Sequence, residues 1–370
     1  MSNIGYKKAK PKTKRRVIIA ALSVALVLLL LLAFAAIGRA QEESRFRVAT
    51  YNVENLFDTI PSPHHDDSEF LPDAAKAWHG GRYWKKLGML ARAIAAIGDV
   101  RPAALVALCE VEGDTVLTHL TRRTSLARLG YEYTVTHSAD ERGLNVALLY
   151  QPELFRPISF TALRVPHRAG KERPTRDVLH VSGQCHTGDT LDVFVCHFPS
   201  RRGGARLTDP YRRRAAETVR RAADSLLAVR GRCNIIIMGD FNAYYPERCI
   251  AETLGAVPAQ EVHAAGGTFL KEKLYLLTHG LKSDGGVGGT YKYKGEWQTL
   301  DQIIVSGTLL CPAPGHLSTA PAACRLCAFP FLLKNDKSGN PAPYRTYLGT
   351  FYQGGYSDHL PVALDFFENN

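Results

Sequence analysis

Beyond residue 45 the chain is written in short apolar runs, and many of them stop at an acid, an amide or an imidazole. Bounded apolar runs of about 4–8 residues are strand-sized, whereas helices need about 10 or more. Strands are expected over 46–52, 104–109, 131–136, 144–150, 179–185, 191–197, 234–238, 299–305 and 360–366. Gly188-Asp189 supplies a hairpin turn between two of them. Three amphipathic helices interleave. The first covers 82–97, with Leu87, Leu90, Ile94 and Ile97 on one face and Gly98 as its stop. The second covers 115–129 and closes at Gly130, and the third starts at Asp209-Pro210, Asp as N-cap and Pro at N1, and runs to about 229. Many strands with few helices predict sheets packed on each other beneath helices. No repeat or linker breaks residues 41–370, so one domain is expected there. The irregular stretch 307–355 is too long to be idle in a compact domain.

Residues 1–40 differ in kind. They hold Lys7, Lys8, Lys10, Lys12, Lys14, Arg15, Arg16 and Arg39 without one acid. The formal charge of +11 is therefore mostly theirs, and the remainder carries 38 basic against 35 acidic residues. A high isoelectric point of this origin is weak support for a nucleic-acid partner. The basic stretch precedes an apolar run over 17–37, long enough to span a bilayer. Gly38-Arg39-Ala40 follows, a pattern a signal peptidase can cut. A cleaved signal and a retained anchor both stay open. Both readings give one orientation, with the basic flank in the cytoplasm and the bulk of the chain exported to the periplasm or cell surface. An exported chain permits disulfides, one of them within the loop bearing Cys311, Cys324 and Cys327. Cys109 and Cys196 sit in apolar runs, where a small hydrophobe suffices.

The polar residues at the strand ends carry the chemistry. Asn52 and Glu54 end the first strand, Glu110 follows Cys109, and His197 follows Cys196. Asp240 and Asn242 sit in Met-Gly-Asp-Phe-Asn, Asp301 opens Asp-Gln-Ile-Ile, and Asp358-His359 precede the last strand. Each alone is an ordinary turn residue. Together they offer oxygen ligands for a hard cation, two imidazoles and two amides, the inventory that metal-assisted phosphoester hydrolysis needs. Carboxylate and amide oxygens favour Mg2+ or Mn2+ over zinc. A GxxxxGK[ST] loop, an HExxH helix and a serine elbow are absent, which removes P-loop, zincin and serine-hydrolase chemistry.

The ordered series YNVENLF, ALCEVE, RGLNVALLY, VCHFPSR, IIMGDFNA, LDQIIVS and YSDHLPV resembles the endonuclease/exonuclease/phosphatase superfamily over about residues 46–367. The segments YNVENLFD, GTYKYKGEW and RTYLGTFYQGGYSDHLP are similar to those of exported members in Bacteroidetes-type bacteria. The resemblance implies a four-layer α/β sandwich, two mixed sheets face to face with helices outside. It implies Glu110 as metal ligand with Asn52 beside it and Asp358 near the metal. It makes Asp240 the residue that positions or activates water, and Asn242 the amide on the transition-state oxygen. Asp301 would orient His359, the general base or phosphate ligand, and His197 would protonate the leaving group.

Other polar residues are weighed individually. Arg176 fits a bidentate phosphate clamp or a structural ion pair. Glu54 and Glu112 read as surface turn residues, His64–Asp67 as a solvated loop, and Arg212–Arg214 with Arg220 and Arg221 as a solvated helix face. Trp297 and Tyr291 suit a stacked base or the core equally. The expectation is a monomeric phosphoesterase taking a phosphate-ester substrate, nucleic acid among the candidates, tied to a membrane through 17–37 if uncleaved. A nuclease leads, a phospholipid or inositol-phosphate esterase follows, and an inactive binding protein comes last because every motif position keeps a competent residue.

Overall fold

The computed structural model describes residue 27, residues 45–167 and residues 172–369. Apart from Val27, the basic flank and apolar run lie outside the described residues, and the signal-or-anchor expectation lies there with them. Among the described residues no helix is long and apolar enough to cross a membrane.

Two mixed seven-stranded sheets form the body. The chain opens the first with β1 (Arg45–Leu56), β2 (Leu105–Val111), β3 (Glu132–Val135) and β4 (Asn145–Tyr150). It then builds the second from β5 (Phe155–Leu163), β6 (Val178–Cys185), β7 (Thr190–His197), β8 (Asn234–Asp240), β9 (Val257–Pro258) and β10 (Leu274–Leu276). A separate hairpin, β11 (Tyr291–Tyr293) and β12 (Glu296–Gln298), precedes β13 (Asp301–Ser306), which rejoins the second sheet. The last part returns to the first sheet through β14 (Leu317–Ser318) and β15 (Cys324–Leu326). Two small hairpins intervene, β16 (Leu333–Asn335) with β17 (Pro341–Pro343) and β18 (Tyr347–Leu348) with β19 (Phe351–Tyr352). Finally β20 (Val362–Glu368) lies between β14 and β1. The strand order is β14-β20-β1-β2-β4-β3 in one sheet, with β15 on β20, and β5-β6-β7-β8-β13-β10-β9 in the other.

Period-two alternation explains the layering. In β8, Ile236 and Met238 join the core between the sheets, while Ile235 and Ile237 join a second cluster under a helix. Val193, Val195, Ile303 and Val305 follow the first pair, and Phe194, Cys196 and Ile304 the second. Each such side chain, fully buried, contributes about 1.5–3 kcal/mol relative to exposure. Helix α1 (Gly80–Gly98) presents Leu87, Leu90, Ile94 and Ile97 to the first sheet's side, where α2 (Asp114–Arg122) also packs. Helix α3 (Ala205–Val229) covers the second sheet with Ala215, Ala216, Val219 and Ala223, and α4 (Ala259–Ala264) is a single turn or so beside β9. The four-layer sandwich expected from the sequence is present.

Several boundaries differ from expectation. Helix α3 starts at Ala205 with Gly204 as its cap residue, so Pro210 lies inside it. A proline this early forfeits one ladder bond, which the rest of a 25-residue helix tolerates. The expected helix over 115–129 is α2 followed by a separate 3-10 turn, Ser125–Leu129. Strand β5 was not anticipated, because it is an edge strand, mostly exposed, whose Pro157 stands at a register shift. Arg212 is buried rather than solvated, its guanidinium donating to Ala205 O and Thr208 Oγ1. All eight cysteines are unpaired thiols.

One glycine is fixed by its neighbours. Gly239 has φ +142°, and a Cβ there would stand 1.9 Å from the Cys196 carbonyl oxygen on paired strand β7. Only the missing side chain lets β7 approach β8 immediately before the site residues. Gly239→Ala is expected to destabilise the protein by at least about 3 kcal/mol, measurable by urea unfolding; a change below about 1 kcal/mol would show that the strands can part.

Candidate active site

Strand register assembles the site. In the second sheet His197 pairs with Asp240 across β7 and β8, and Asp240 pairs with Asp301 across β8 and β13. Directly paired residues share a face, so three side chains from three strand ends stand side by side. From the first sheet, Asn52 pairs with Cys109, after which both strands lose register. Glu110 sits at that irregularity with φ +66°, which re-aims its side chain off the alternation. Asn242 likewise has φ +47°. His359 arrives on the turn before β20, held by its N–H to Ser357 Oγ, whose hydroxyl donates to Asn52 O at 2.6 Å.

Asp240 is the hub. Its Oδ2 accepts from Asn52 Nδ2 at 3.0 Å and Asn242 Nδ2 at 3.3 Å, and its Oδ1 accepts from the Asn242 backbone at 2.8 Å. His197 Nε2 and His359 Nε2 stand 3.7 and 3.8 Å from the same Oδ2. Asn52 Nδ2 also reaches Glu110 Oε1 at 3.2 Å, so one amide draws two carboxylates together. Its oxygen accepts the Glu54 N–H at 3.0 Å, leaving one lone pair for any other partner. His359 Nδ1 lies 2.7 Å from Asp301 Oδ2, the geometry of an acid that orients an imidazole, and its ring packs on Tyr291. Asp358 is half-buried on the wall of the same cleft.

Electrostatics separate the two histidines. Burial opposes charge on His359, but the Asp301 and Asp240 carboxylates outweigh it and hold its proton well above the ordinary imidazole range. Burial, then Arg176 and Arg142, hold His197 well below that range, and its Nδ1 is buried without a hydrogen-bond partner. A leaving-group acid must carry a proton at rest. His197 is thus poorly suited to the role the resemblance gave it. Burial also raises the Asp240 carboxyl, against the pull of the His359 charge.

The residues fit a divalent cation. Glu110 and Asp240 converge on one amide, and Asp301 Oδ1 is buried with no partner. The Asp240 and Asp301 carboxylates lie within 4.8 Å of each other, with the His359 ring against both. Carboxylates gathered this closely call for a hard counter-charge.

Sequence reasoning missed a buried pair behind the site. Lys86 is 1% exposed and donates to Glu54 O, Thr346 Oγ1 and Tyr356 O. Glu54 is no surface residue: it is buried and accepts the backbone N–H of Thr346 and Tyr347. Burial pulls the Lys86 ammonium down, while Glu54, Asp358 and Glu110 pull it back up. Lys86 lies four residues before Leu90 on the apolar face of α1, and a lysine inside such a stripe is the signal that marks it. Lys86→Met should cost about 3–5 kcal/mol by leaving Glu54 uncompensated. Equilibrium unfolding checks this, and adding Glu54→Gln should recover part of the loss.

The site opens into a cleft of about 1110 Å3. Arg142, Arg201 and Arg202 line it with Tyr211, Tyr291 and Tyr293. Arg176 also lines it, but as a buried tie: it donates to Asp140 at 3.2 Å and to Phe198 O at 3.0 Å. The phosphate-clamp reading of Arg176 therefore gives way to the ion pair. Trp297 lines a neighbouring hollow with Tyr244 and Tyr245 instead. Glu112, too, is a partly buried residue and not a surface turn; burial pushes its carboxyl up to about 7.

Comparisons bear on this arrangement. Among solved structures, an endonuclease/exonuclease/phosphatase family protein from Bacteroides thetaiotaomicron is similar, with 14% identity, 88% of this chain and 95% of that chain covered, and a TM-score of 0.55. Truncated Caenorhabditis elegans TDP2 shares 13% identity, covering 89% of this chain and 99% of that one, with a TM-score of 0.53. Humanized D. rerio TDP2 gives 13%, 87%, 99% and 0.52 for the same quantities. At such identities these likenesses speak to the fold alone. No curated protein matches the sequence. The sequence itself matches the Endonuclease/Exonuclease/phosphatase family over residues 47–367, a span that contains every strand-end residue described above. The chain belongs to that family, whose members are metal-dependent hydrolases of phosphoester bonds.

Proposed function

We infer that this protein is a Mg2+- or Mn2+-dependent phosphodiesterase that cleaves nucleic-acid strands outside the cytoplasm. The observation that carries the reading is the cleft, which is lined by arginines and tyrosines together with His359 and Asp240. Guanidinium groups track a phosphate backbone, and tyrosines give bases a stacking surface. Glu110 and Asp358 would hold the metal, with Asn52 drawing Glu110 toward Asp240. Bound there, the ion would neutralise phosphate oxygens and make a bound water more acidic.

The chain's own residues divide the remaining work. Asp240, fixed by two amides, orients the attacking water and receives its proton. Asn242, whose two side-chain N–H groups go to Phe198 O at 3.1 Å and Asp240 Oδ2 at 3.3 Å, holds Asp240 in place beside the phosphate. The charged His359, aligned by Asp301, donates a hydrogen bond or a proton to the phosphoryl or leaving oxygen. Neutral His197 stands beside the same Asp240 oxygen as His359, at 3.7 Å, as a polar neighbour of the reacting phosphate. The basic flank and apolar run over 1–37 support export; protease accessibility on spheroplasts tests it.

A substrate panel tests the activity: supercoiled DNA, single-stranded DNA, RNA, inositol phosphates and sphingomyelin vesicles, each with Mg2+ and with Mn2+. Turnover of a polynucleotide, falling steeply with salt, is the expected result. Turnover confined to vesicles would favour the second reading, a phospholipid esterase. One observation favours that alternative: Leu348 and Phe351 stand 55% and 77% exposed on the β18–β19 hairpin, near Arg82 and Lys85.

A further inference from the structure

The loop after β1 was expected to be solvated, because neighbouring residues in His64–Asp67 point different ways. They do: His64 and Asp66 are exposed. His65 and Asp67 turn inward and meet Glu112, at the far end of β2, with one ligand atom from each residue within 4.8 Å of the others. None of the three lines the catalytic cleft.

The imidazole is held before any ligand arrives. It lies against the backbone of Gly143, whose φ is +71° and where a Cβ would fall 2.2 Å from His65 Cδ2. Ser62 Oγ holds Nδ1 at 3.0 Å. That leaves Nε2 facing Glu112 Oε1 at 3.4 Å, longer than a good hydrogen bond. Metal-binding histidines are oriented in this way, with the second nitrogen tied to an oxygen. The carboxylates are fixed as well: Asp67 Oδ2 accepts the Ser62 N–H at 2.8 Å, and Glu112 Oε2 accepts the Asp58 N–H at 2.7 Å.

Charge points the same way. Asp67 is 6% exposed, and the Glu112 side chain is 13% exposed. Among the described residues, neither has a lysine or arginine in an ion pair, and Asp58 adds a further anion beside them. Half-buried carboxylates ordinarily find a cation. Here the groups at hand are two acids and one imidazole.

We propose that His65, Asp67 and Glu112 form a second cation site, distinct from the catalytic one, for a zinc-class divalent ion. One imidazole nitrogen and two carboxylate oxygens, with a water, complete a tetrahedral shell that suits Zn2+, whereas Mg2+ prefers oxygen alone. The ion ties the loop after β1 to the end of β2, two residues beyond Glu110. The same loop is joined to the 140–143 turn on the cleft wall without the ion, by the Asp66 N–H donating to Glu141 O at 2.7 Å. Its part is structural, bracing the segment from which Glu110 projects.

The full chain, stripped with chelator and re-equilibrated with zinc chloride, provides the test. Zinc content by elemental analysis, and the rise of Tm with zinc, are compared for wild type, His65→Gln, Asp67→Asn and Glu110→Gln. His65→Gln and Asp67→Asn are expected to bind one zinc fewer than wild type, or to bind it at least about tenfold more weakly. Both should keep the circular dichroism of the zinc-free chain. Glu110→Gln should keep this zinc and its share of the Tm rise. Equal zinc content and equal Tm response in wild type, His65→Gln and Asp67→Asn would overturn the site. Should either variant misfold, Glu112→Gln replaces it, with the same zinc deficit expected and the same equality overturning.

Discussion

His359→Ala is expected to lower kcat at least about 100-fold on a polynucleotide or other phosphodiester, since general acid–base steps contribute roughly 100- to 10,000-fold. The reason is the pairing with Asp301 at 2.7 Å, which both aims the ring and keeps its proton. Asp301→Asn should lose a comparable amount, and the double variant little more, because the two act as a unit. Leaving groups separate donation from binding. An alkoxide needs a proton and a nitrophenolate does not, so His359→Ala should harm natural diesters far more than bis-nitrophenyl phosphate. His197→Ala, removing a neutral imidazole, should harm both alike. The reverse pattern would hand proton donation back to His197.

Glu110→Gln should raise the half-saturating Mg2+ or Mn2+ concentration at least about tenfold, by analogy with changes that merely orient metal ligands. The amide keeps the shape but removes the charge, and whichever way it turns, its NH2 meets a donor, either Asn52 Nδ2, now at 3.2 Å from Glu110 Oε1, or the Asn55 N–H, now at 2.8 Å from Oε2. Two N–H groups would then face each other. Turnover at saturating metal should also fall, because Asn52 would no longer draw two anions together. A metal titration that leaves the midpoint unmoved would take Glu110 out of the metal shell.

What the sequence disclosed follows from how the site is made. A residue ending a hydrophobic strand is conspicuous, because the apolar run says where the sheet is and the break says where it stops. Asn52, Glu110, His197, Asp240, Asp301 and His359 were legible at strand boundaries; register aligned His197, Asp240 and Asp301, while the break at Glu110 and the turn at His359 delivered the other two. Lys86 and Glu54 were obscured because, apart from each other, their partners Thr346, Tyr347 and Tyr356 lie more than 250 positions along the chain. His65 and Asp67 were misjudged for a related reason: alternation along a loop fixes which residues turn inward, but not that Glu112 waits there. Strand β5 escaped notice because an exposed edge strand has no hydrophobic face to betray it. Pro210 misplaced the start of α3, since a proline marks a first turn only when no helix has begun before it.

Seven non-glycine residues of the described chain carry positive φ, and four of them are Glu54, Asn55, Glu110 and Asn242. Left-handed backbone at such residues costs on the order of 1 kcal/mol or more each. The functional centre therefore holds more than half of the non-glycine residues with left-handed backbone in the described chain. Selection for stability alone would drift these positions toward glycine, and Glu110→Gly would relieve the backbone while erasing the carboxylate. A thermostability screen blind to turnover should thus recover inactive variants preferentially at Glu110, and their melting temperatures would measure how far folding and chemistry are opposed in this chain.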